Sequence, residues 1–328
     1  MKEIIKDREE LKAQLWGSFL LFVQTFFPLV TARPFHISNP PGRESHFITI
    51  SKELTLVARM LLDSLLINIA PGSGKSVMVS MWVAWTMSRW PNSQYLYISY
   101  GHELASKHTE FIRRIIQNSH YKTLFGVEVR SDSKAKDFFQ TTAGGAVKAF
   151  GSAGSITGND AGLPNCEHFS GAAICDDLIK PDEANSPTIR QRVLDNYRET
   201  ILQRLRGPNV PLISIGQRLH EDDVSAYMMG GKDERRWKTV ILKSIDDAGN
   251  ALYPEVHPLE MLIEKQEKSP YVFASQFQQN PIPAGGALFK VKDFVILNEE
   301  PEIILTFITA DSAETSHTYN DATVFSFF

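Results

Sequence analysis

Cysteine is almost missing from this chain. Cys166 and Cys175 are the two in 328 residues, too few for a disulfide framework. No charged-then-apolar secretion leader is recognisable either, so a reducing intracellular setting is expected. Long apolar runs are also lacking. The most lipid-like stretch, LWGSFLLFVQTFFPLV from Leu15 to Val30, falls short of the ~20 apolar residues that cross a bilayer, and Gln24 and Pro28 interrupt it. It follows the mixed charges of KDREELKAQ and reads as a buried helix, not a membrane anchor. Nor is there an excess of one charge: 34 Lys and Arg face 38 Asp and Glu, a net charge of -4. That balance gives no general pull toward nucleic acid, so any such contact must be local. Internal repeats are absent. What remains, 43% hydrophobic and 22% charged residues, describes a folded protein longer than one ordinary compact domain.

Short apolar runs alternate with helical patterns along the chain. The runs are LLINIA (Leu65 to Ala70), YLYIS (Tyr95 to Ser99), AVKAF (Ala146 to Phe150), AAIC (Ala172 to Cys175) and PLISIG (Pro211 to Gly216). Between them the periodicity predicts helices over Ser76 to Trp90, over Glu103 to Asn118, and from Pro187 onward. ISKELTLVARMLL, ahead of the first run, reads as a further helix. Ser186 can cap the Pro187 helix, Pro187 fits its first turn and Gly207 follows its end. Ile189, Val193, Tyr197, Ile201 and Leu205 recur at helical spacing, a stripe expected to be core. Such alternation argues for a mostly parallel sheet wrapped by helices. Pro and Gly in NPIPAGGALF interrupt it, so a first domain is expected over 1–283 and a second unit over 284–328. In that unit IILTFITADSA and ATVFSFF read as two strands of a hairpin. Two strands cannot bury a core alone, so the tail reads as the opening of a further domain.

The string IAPGSGKS follows an apolar strand and opens a helix, which is the setting of a phosphate-binding loop. In Pro71, Gly72, Ser73, Gly74, Lys75 and Ser76, the glycines let backbone N–H groups turn toward phosphates. Lys75 offers a point charge to the β- and γ-phosphates, and Ser76 can ligate magnesium. Ile69 stands where the first glycine of such loops usually is. A site of this kind needs carboxylates, and AAICDD supplies two at a strand end: Asp176 for the metal and Asp177 to align the attacking water. The expected chemistry is ATP hydrolysis with Mg2+. It requires the glycine-lined turn and the acidic couplet to meet across the ends of adjoining strands.

With these residues in place the sequence resembles the large terminase subunit of tailed bacteriophages. The matching strings are LLINIAPGSGKS, ISYGHELASKHTEFIRRII, GSAGSITGNDAG, ICDDLIKPDEANSPTIRQRV, ISIGQRLHEDD, YVFASQFQQNPIP and ADSAETSHTYNDATV, in the family's order from about Leu65 onward. The resemblance implies an α/β P-loop ATPase of the additional-strand type, followed by the first strands of an RNase H-like nuclease using Mg2+ or Mn2+. It implies metal-binding roles for Asp311 and Asp321 in the nuclease, which is incomplete here. It implies coupling roles for Gln217 and Arg218 after the ISIG strand, where a polar side chain senses the γ-phosphate. Relatives often carry a trans-acting arginine in the loop read here as TGNDAGLPNCEHFSG. Asn159 and Asp160 stand in its place, and Arg113, Arg114, Arg204 and Arg206 are alternatives. The implied partners are double-stranded DNA, a portal protein and a small terminase subunit. The implied assembly is a homo-oligomeric ring on the procapsid, formed from free monomers in the host cytoplasm, with no membrane. A helicase-like DNA-dependent ATPase unconnected with packaging is the alternative; a small-molecule P-loop kinase and a binding module with a decayed site are further rivals.

Overall fold

The computed structural model describes residues 2–133, 135–154, 156, 158–282, 308–311 and 324–327. The chain divides into two compact units, Met1–Ala284 and Gly285–Phe328. In the first, the described elements run α1 (Lys2–Gly17), α2 (Phe19–Thr31), α3 (His46–Ala58), β1 (Ser64–Ile69), α4 (Lys75–Arg89), β2 (Gln94–Ser99), α5 (His102–Gln117) and α6 (Ser119–Phe125). They continue with β3 (Phe138–Gln140), β4 (Ala146–Gly151), β5 (Gly171–Asp176), α7 (Pro187–Asn196), β6 (Leu212–Gly216), α8 (Val224–Met229), β7 (Lys238–Leu242) and α9 (Leu259–Lys268). A wide π turn, Phe273–Phe277, follows.

The seven strands form one sheet in the order β3-β4-β2-β5-β6-β1-β7. Every pairing is parallel except that of β3 with β4. This is the mostly parallel, helix-flanked sheet that the alternation predicts. Strands β1 and β5 are buried along their whole length, which is why both read as unbroken apolar runs. Helix α4 is buried nearly all round and lies in the large core cluster with the apolar face of α2. The stripe Val193, Tyr197 and Ile201 packs with Leu66, Leu96 and Leu212 in a second cluster, as its spacing implies.

Several boundaries differ from the sequence reading. The run from Leu15 to Val30 is divided between two helices, with Ser18 capping α2 by accepting a bond from Leu21 N–H at 3.2 Å. The chain bends there by 111°, and no single helix among the described residues is long and apolar enough to cross a membrane. Helix α3 begins at His46 because His46 and Phe47 are buried with Ile50 and Leu54. The Pro187 helix gives way at Asn196 to a π turn, Tyr197–Ile201, and ends at Arg204, so Gly207 does not cap it. Strands β3 and β7 have no counterpart in the reading: β3 has three residues, and β7 is an edge strand with Ile241 47% exposed.

In the second unit, β8 (Ile308–Asp311) and β9 (Val324–Phe327) pair antiparallel, with Asp311 opposite Val324. That is the hairpin the two apolar strings predict. Asp321 lies outside the described residues.

Candidate active site

In a parallel sheet the carboxyl ends of the strands form the crevice where ligands bind. Strand β1 delivers the turn 70–74 to that edge, β5 delivers Asp176 and Asp177, and β6 delivers Gln217. The turn and the couplet meet, but not from adjoining strands: β6 lies between β1 and β5. The expectation of adjoining strands is therefore corrected, because a third strand end is inserted into the site.

Gly72 (φ 76°) and Gly74 (φ 73°) hold left-handed conformations, which a glycine adopts without steric penalty. They turn the chain into α4 with Gly74 as the cap residue and no side chain capping the helix. The amides of its first turn are thus open donors at the positive end of a 15-residue helix, a ready anion site. Added Cβ atoms would approach His257 Nε2 at Gly72 and Phe47 Cε1 at Gly74, each to 3.2 Å. Ser73 is buried, and its carbonyl faces His46 Nε2 at 3.0 Å. Burial drives the His46 imidazole down to about 4, so it is neutral and Nε2–H is the donor. Pro71 precedes the first glycine in the turn.

The two carboxylates are held differently. Asp176 ends β5 fully buried. Ser76 Oγ donates to its Oδ1 at 3.0 Å and Tyr97 Oη donates to its Oδ2 at 2.7 Å. His108 Nε2 lies 3.8 Å from that second oxygen, and its ring stacks on Tyr97 at 5.2 Å. Burial, then Asp176, holds the Tyr97 hydroxyl far above the ordinary tyrosine range, so it remains a donor. Burial outweighs the attraction of Asp176 and lowers the His108 imidazole.

Asp177 takes a left-handed backbone, φ 47°, pinned from both sides: its N–H donates to Ile215 O at 3.0 Å and its C=O accepts from Tyr100 N–H at 2.8 Å. Its Oδ2 pairs with Lys75 Nζ at 3.1 Å, and its Oδ1 accepts the Gln217 amide at 3.2 Å. Burial raises this carboxyl above the usual range despite the downward pull of Lys75. Gly216 leaves room for it, since a Cβ there would lie 3.0 Å from Oδ1.

Lys75, Ser76, Asp176, Asp177 and the Gln217 amide therefore converge. Gln217 Oε1 is buried with no partner among the described residues. The Arg218 guanidinium is bonded to the turn that leads into α8. Nε contacts both Asp223 oxygens at 3.0 and 2.9 Å, and Nη2 reaches His220 O and Glu221 O at 3.3 and 3.4 Å. Asp223 also caps α8 through Ala226 N–H at 2.9 Å. The alternative arginines are engaged elsewhere in the chain. Arg113 donates to Ala135 O at 2.7 Å, Arg114 to Val30 O at 2.9 Å, and Arg204 and Arg206 both face Asp160.

The donor set suits a magnesium nucleotide. A hydroxyl and a carboxylate stand 3.0 Å apart, both hard oxygen ligands, beside an uncapped helix N-terminus and an ammonium. Tyr97, His108, His46 and His257 were not read as site residues; the β2–β5 pairing brings Tyr97 to Asp176, and α5 carries His108 to it.

No protein-family model matches the sequence, and no curated protein matches it. Among solved structures, the HK97 bacteriophage large terminase aligns with TM-score 0.50 at 14% identity, over 81% of this chain and 55% of that one. A mutant ATPase domain of the Thermus phage P74-26 large terminase aligns with TM-score 0.50 at 15% identity, over 78% of this chain and 98% of that one. The chain has the fold of a phage large terminase ATPase domain. It spans about half the length of the HK97 protein. Within this sheet β6 lies between β1, which leads to the glycine turn, and β5, which ends in the acidic couplet.

Proposed function

We propose that the chain is the large terminase subunit of a tailed phage, an ATP-hydrolysing motor that moves double-stranded DNA through a portal into the procapsid. The observation that carries the reading is the convergence of Lys75 and Ser76 with Asp176 and Asp177, with the β6 end bonded to the second carboxylate. The amides from Gly72 to Ser76 bind the triphosphate and Lys75 neutralises it. Ser76 Oγ and Asp176 would hold Mg2+, which when bound screens charge on the phosphate oxygens. Asp177, freed from Lys75 as that ammonium turns to the phosphates, accepts the hydrogen bond of the attacking water and takes up its proton. Its raised proton affinity suits a base. Gln217 follows the Asp177 carboxylate through the shared amide and senses the γ-phosphate with its side chain.

On this reading residues 1–283 are the ATPase domain and 284–328 open an RNase H-like nuclease that contributes Asp311 and Asp321 to Mg2+ or Mn2+. The partners are DNA, the portal and a small terminase subunit. The enzyme acts as a ring in the host cytoplasm, with the trans-acting arginine unassigned. DNA is held mainly through phosphates, so binding falls with salt.

The test is ATP turnover with and without duplex DNA and portal, for the parent, Lys75→Ala and Asp177→Asn. We expect DNA and portal to raise turnover in the parent. Asp177→Asn should lose about 10²–10⁴-fold in rate while retaining nucleotide, the range for removal of a general base. Lys75→Ala should lose nucleotide affinity as well. Intact turnover in both variants overturns the site. Unwinding of a forked duplex with no response to portal would make the chain a helicase-like enzyme instead.

A further inference from the structure

Two non-glycine residues with left-handed backbones bracket the end of β6. Asp177 (φ 47°) is one, and Gln279 (φ 56°), five residues before the unit ends at Ala284, is the other. Their side chains take consecutive amides: Gln217 N–H donates to Asp177 Oδ1 at 3.2 Å, and Arg218 N–H donates to Gln279 Oε1 at 2.9 Å. A left-handed non-glycine residue is unfavourable unless its surroundings fix it, and such strain gathers at functional positions. Gln279 is buried, and its Nε2 donates back to Gln276 O at 2.5 Å.

The segment that ends in Gln279 is fastened to the two neighbouring strands as well. Phe273 and Phe277 share a buried cluster with Ala70, the residue between β1 and the phosphate turn. Ser244 N–H, just beyond β7, donates to Phe277 O at 2.8 Å. Gln278 exchanges two bonds with the Ile245 backbone, at 3.0 and 3.1 Å. His257, whose ring is next to Gly72, contacts Phe277 edge-on at 5.9 Å. Strands β6, β1 and β7 are consecutive in the sheet, so residues 273–279 form a bar across three strand ends at the phosphate turn.

We propose that Gln279 is a positioning residue for nucleotide sensing: it fastens the β6 end that touches Asp177 to the bar 273–279, where the chain leaves the first unit. This rests on the ATPase reading above. When Lys75 releases Asp177, the carboxylate and the Gln217 amide shift together. Because Arg218 is the next residue and its guanidinium is fixed by Asp223, the displacement passes through its amide to Gln279. The left-handed turn at Gln279 then relaxes or tightens. The state of the nucleotide is thereby reported at the exit of the unit without any contact between the nucleotide and the bar.

The test is amide hydrogen exchange read by mass spectrometry on the full chain, with and without Mg2+ and the β,γ-imido analogue of ATP. In the parent, nucleotide should slow exchange in 70–78 and also change it in 273–280, by about fivefold or more, the effect of one hydrogen bond. Gln279→Ala should keep the response of 70–78 and lose that of 273–280. Gln279→Glu, which keeps an acceptor for the Arg218 amide but loses the donor to Gln276 O, should keep the response of 70–78 and more of that of 273–280 than the alanine variant. A parent whose 70–78 segment responds while 273–280 does not overturns this inference and leaves the ATPase reading standing. A parent in which neither responds overturns both. A Gln279→Ala protein that keeps the full response at 273–280 also overturns the role of the side chain, and because the parent needs no substitution, misfolding of a variant cannot shield the proposal.

Discussion

Removing the single hydroxyl of Tyr97 isolates the hydrogen bond that orients Asp176. Both residues are fully buried, and the bond is 2.7 Å long to a carboxylate oxygen. A hydrogen bond to a charged group contributes roughly 1.5–3 kcal/mol. Tyr97→Phe keeps the ring, its stacking on His108 and the packing of β2, so the loss should fall in that range and not in the larger range for a cavity. In an Asp176→Asn background the acceptor is neutral, and the same substitution should cost about 0.5–1.5 kcal/mol. The double-mutant cycle from urea unfolding should therefore show coupling of about 1–2 kcal/mol between the two positions. A second measurement concerns the metal. With Oδ2 released, the carboxylate is free to rotate and Oδ1 no longer faces Ser76 alone. Mn2+ affinity in the presence of ADP, read by electron paramagnetic resonance, should fall about 10- to 100-fold, as for other groups that orient a metal ligand. Additive stabilities together with unchanged Mn2+ affinity would refute the reasoning: Tyr97 would then be a packing residue whose hydroxyl does not hold the carboxylate.

Two further consequences concern the braces of the site. His46 is neutral in the fold, with its proton affinity lowered from 6.5 to about 4, so the unfolded chain binds a proton that the folded one refuses between those pH values. Stability from this residue is full above pH 6.5 and is lost as pH falls toward 4, by up to about 3 kcal/mol. His46→Gln, which can still donate to Ser73 O, should lose about 2 kcal/mol less than the parent between pH 6.5 and 5 in urea titrations; identical slopes would show that His46 is not the group responsible. Asp223 pairs with the buried Arg218 and caps α8. Asp223→Ala should destabilise the fold by about 3–5 kcal/mol through an uncompensated charge, and Asp223→Asn by less because it keeps the cap. A loss under 1 kcal/mol for the alanine variant would mean that the guanidinium finds water instead.

What could be read from the sequence was whatever is local. GSGKS after an apolar run is a complete statement about a turn, since φ at Gly72 and Gly74 and the helix that starts at Lys75 are set within seven residues. The alternation of buried strands with helices was visible because both faces of β1, β2, β5 and β6 are covered, which leaves long apolar strings. Strand β7 escaped because it is a short edge strand whose apolar run, Val240 to Leu242, is bounded by Lys238, Thr239 and Lys243. The insertion of β6 between β1 and β5 could not be read, because chain order carries no record of which strand is hydrogen-bonded to which. The same blindness hid Tyr97 and His108, whose neighbour Asp176 is 79 and 68 positions away in the chain. It also hid the partner of Arg218, whose guanidinium is held by a carboxylate five residues on. The string YVFASQFQQNPIP stood out by resemblance alone, and its bonding to three strands is purely tertiary.

The consecutive aspartates illustrate why sequence identity does not set chemical role. Asp176 is the last residue in register in β5 and inherits the strand's rigidity; its two oxygens are taken by Ser76 and Tyr97, with His108 beyond. Such a carboxylate can present a lone pair in one fixed direction, which is what a metal ligand needs. One residue later the ladder ends, the backbone turns left-handed, and among the described residues the carboxylate of Asp177 meets an ammonium and one amide. Lys75 is the partner that a bound triphosphate would attract most strongly, so the Asp177 pairing is the one that a ligand can break. Breaking it leaves a buried carboxylate whose proton affinity burial already raises and whose remaining bond is to the strand that leads to Gln279. On the proposed reading a fixed ligand and a releasable base, separated by one peptide bond, follow from where the β-ladder stops, and the same stop places the releasable one in contact with β6, whose end lies between the phosphate turn and the couplet.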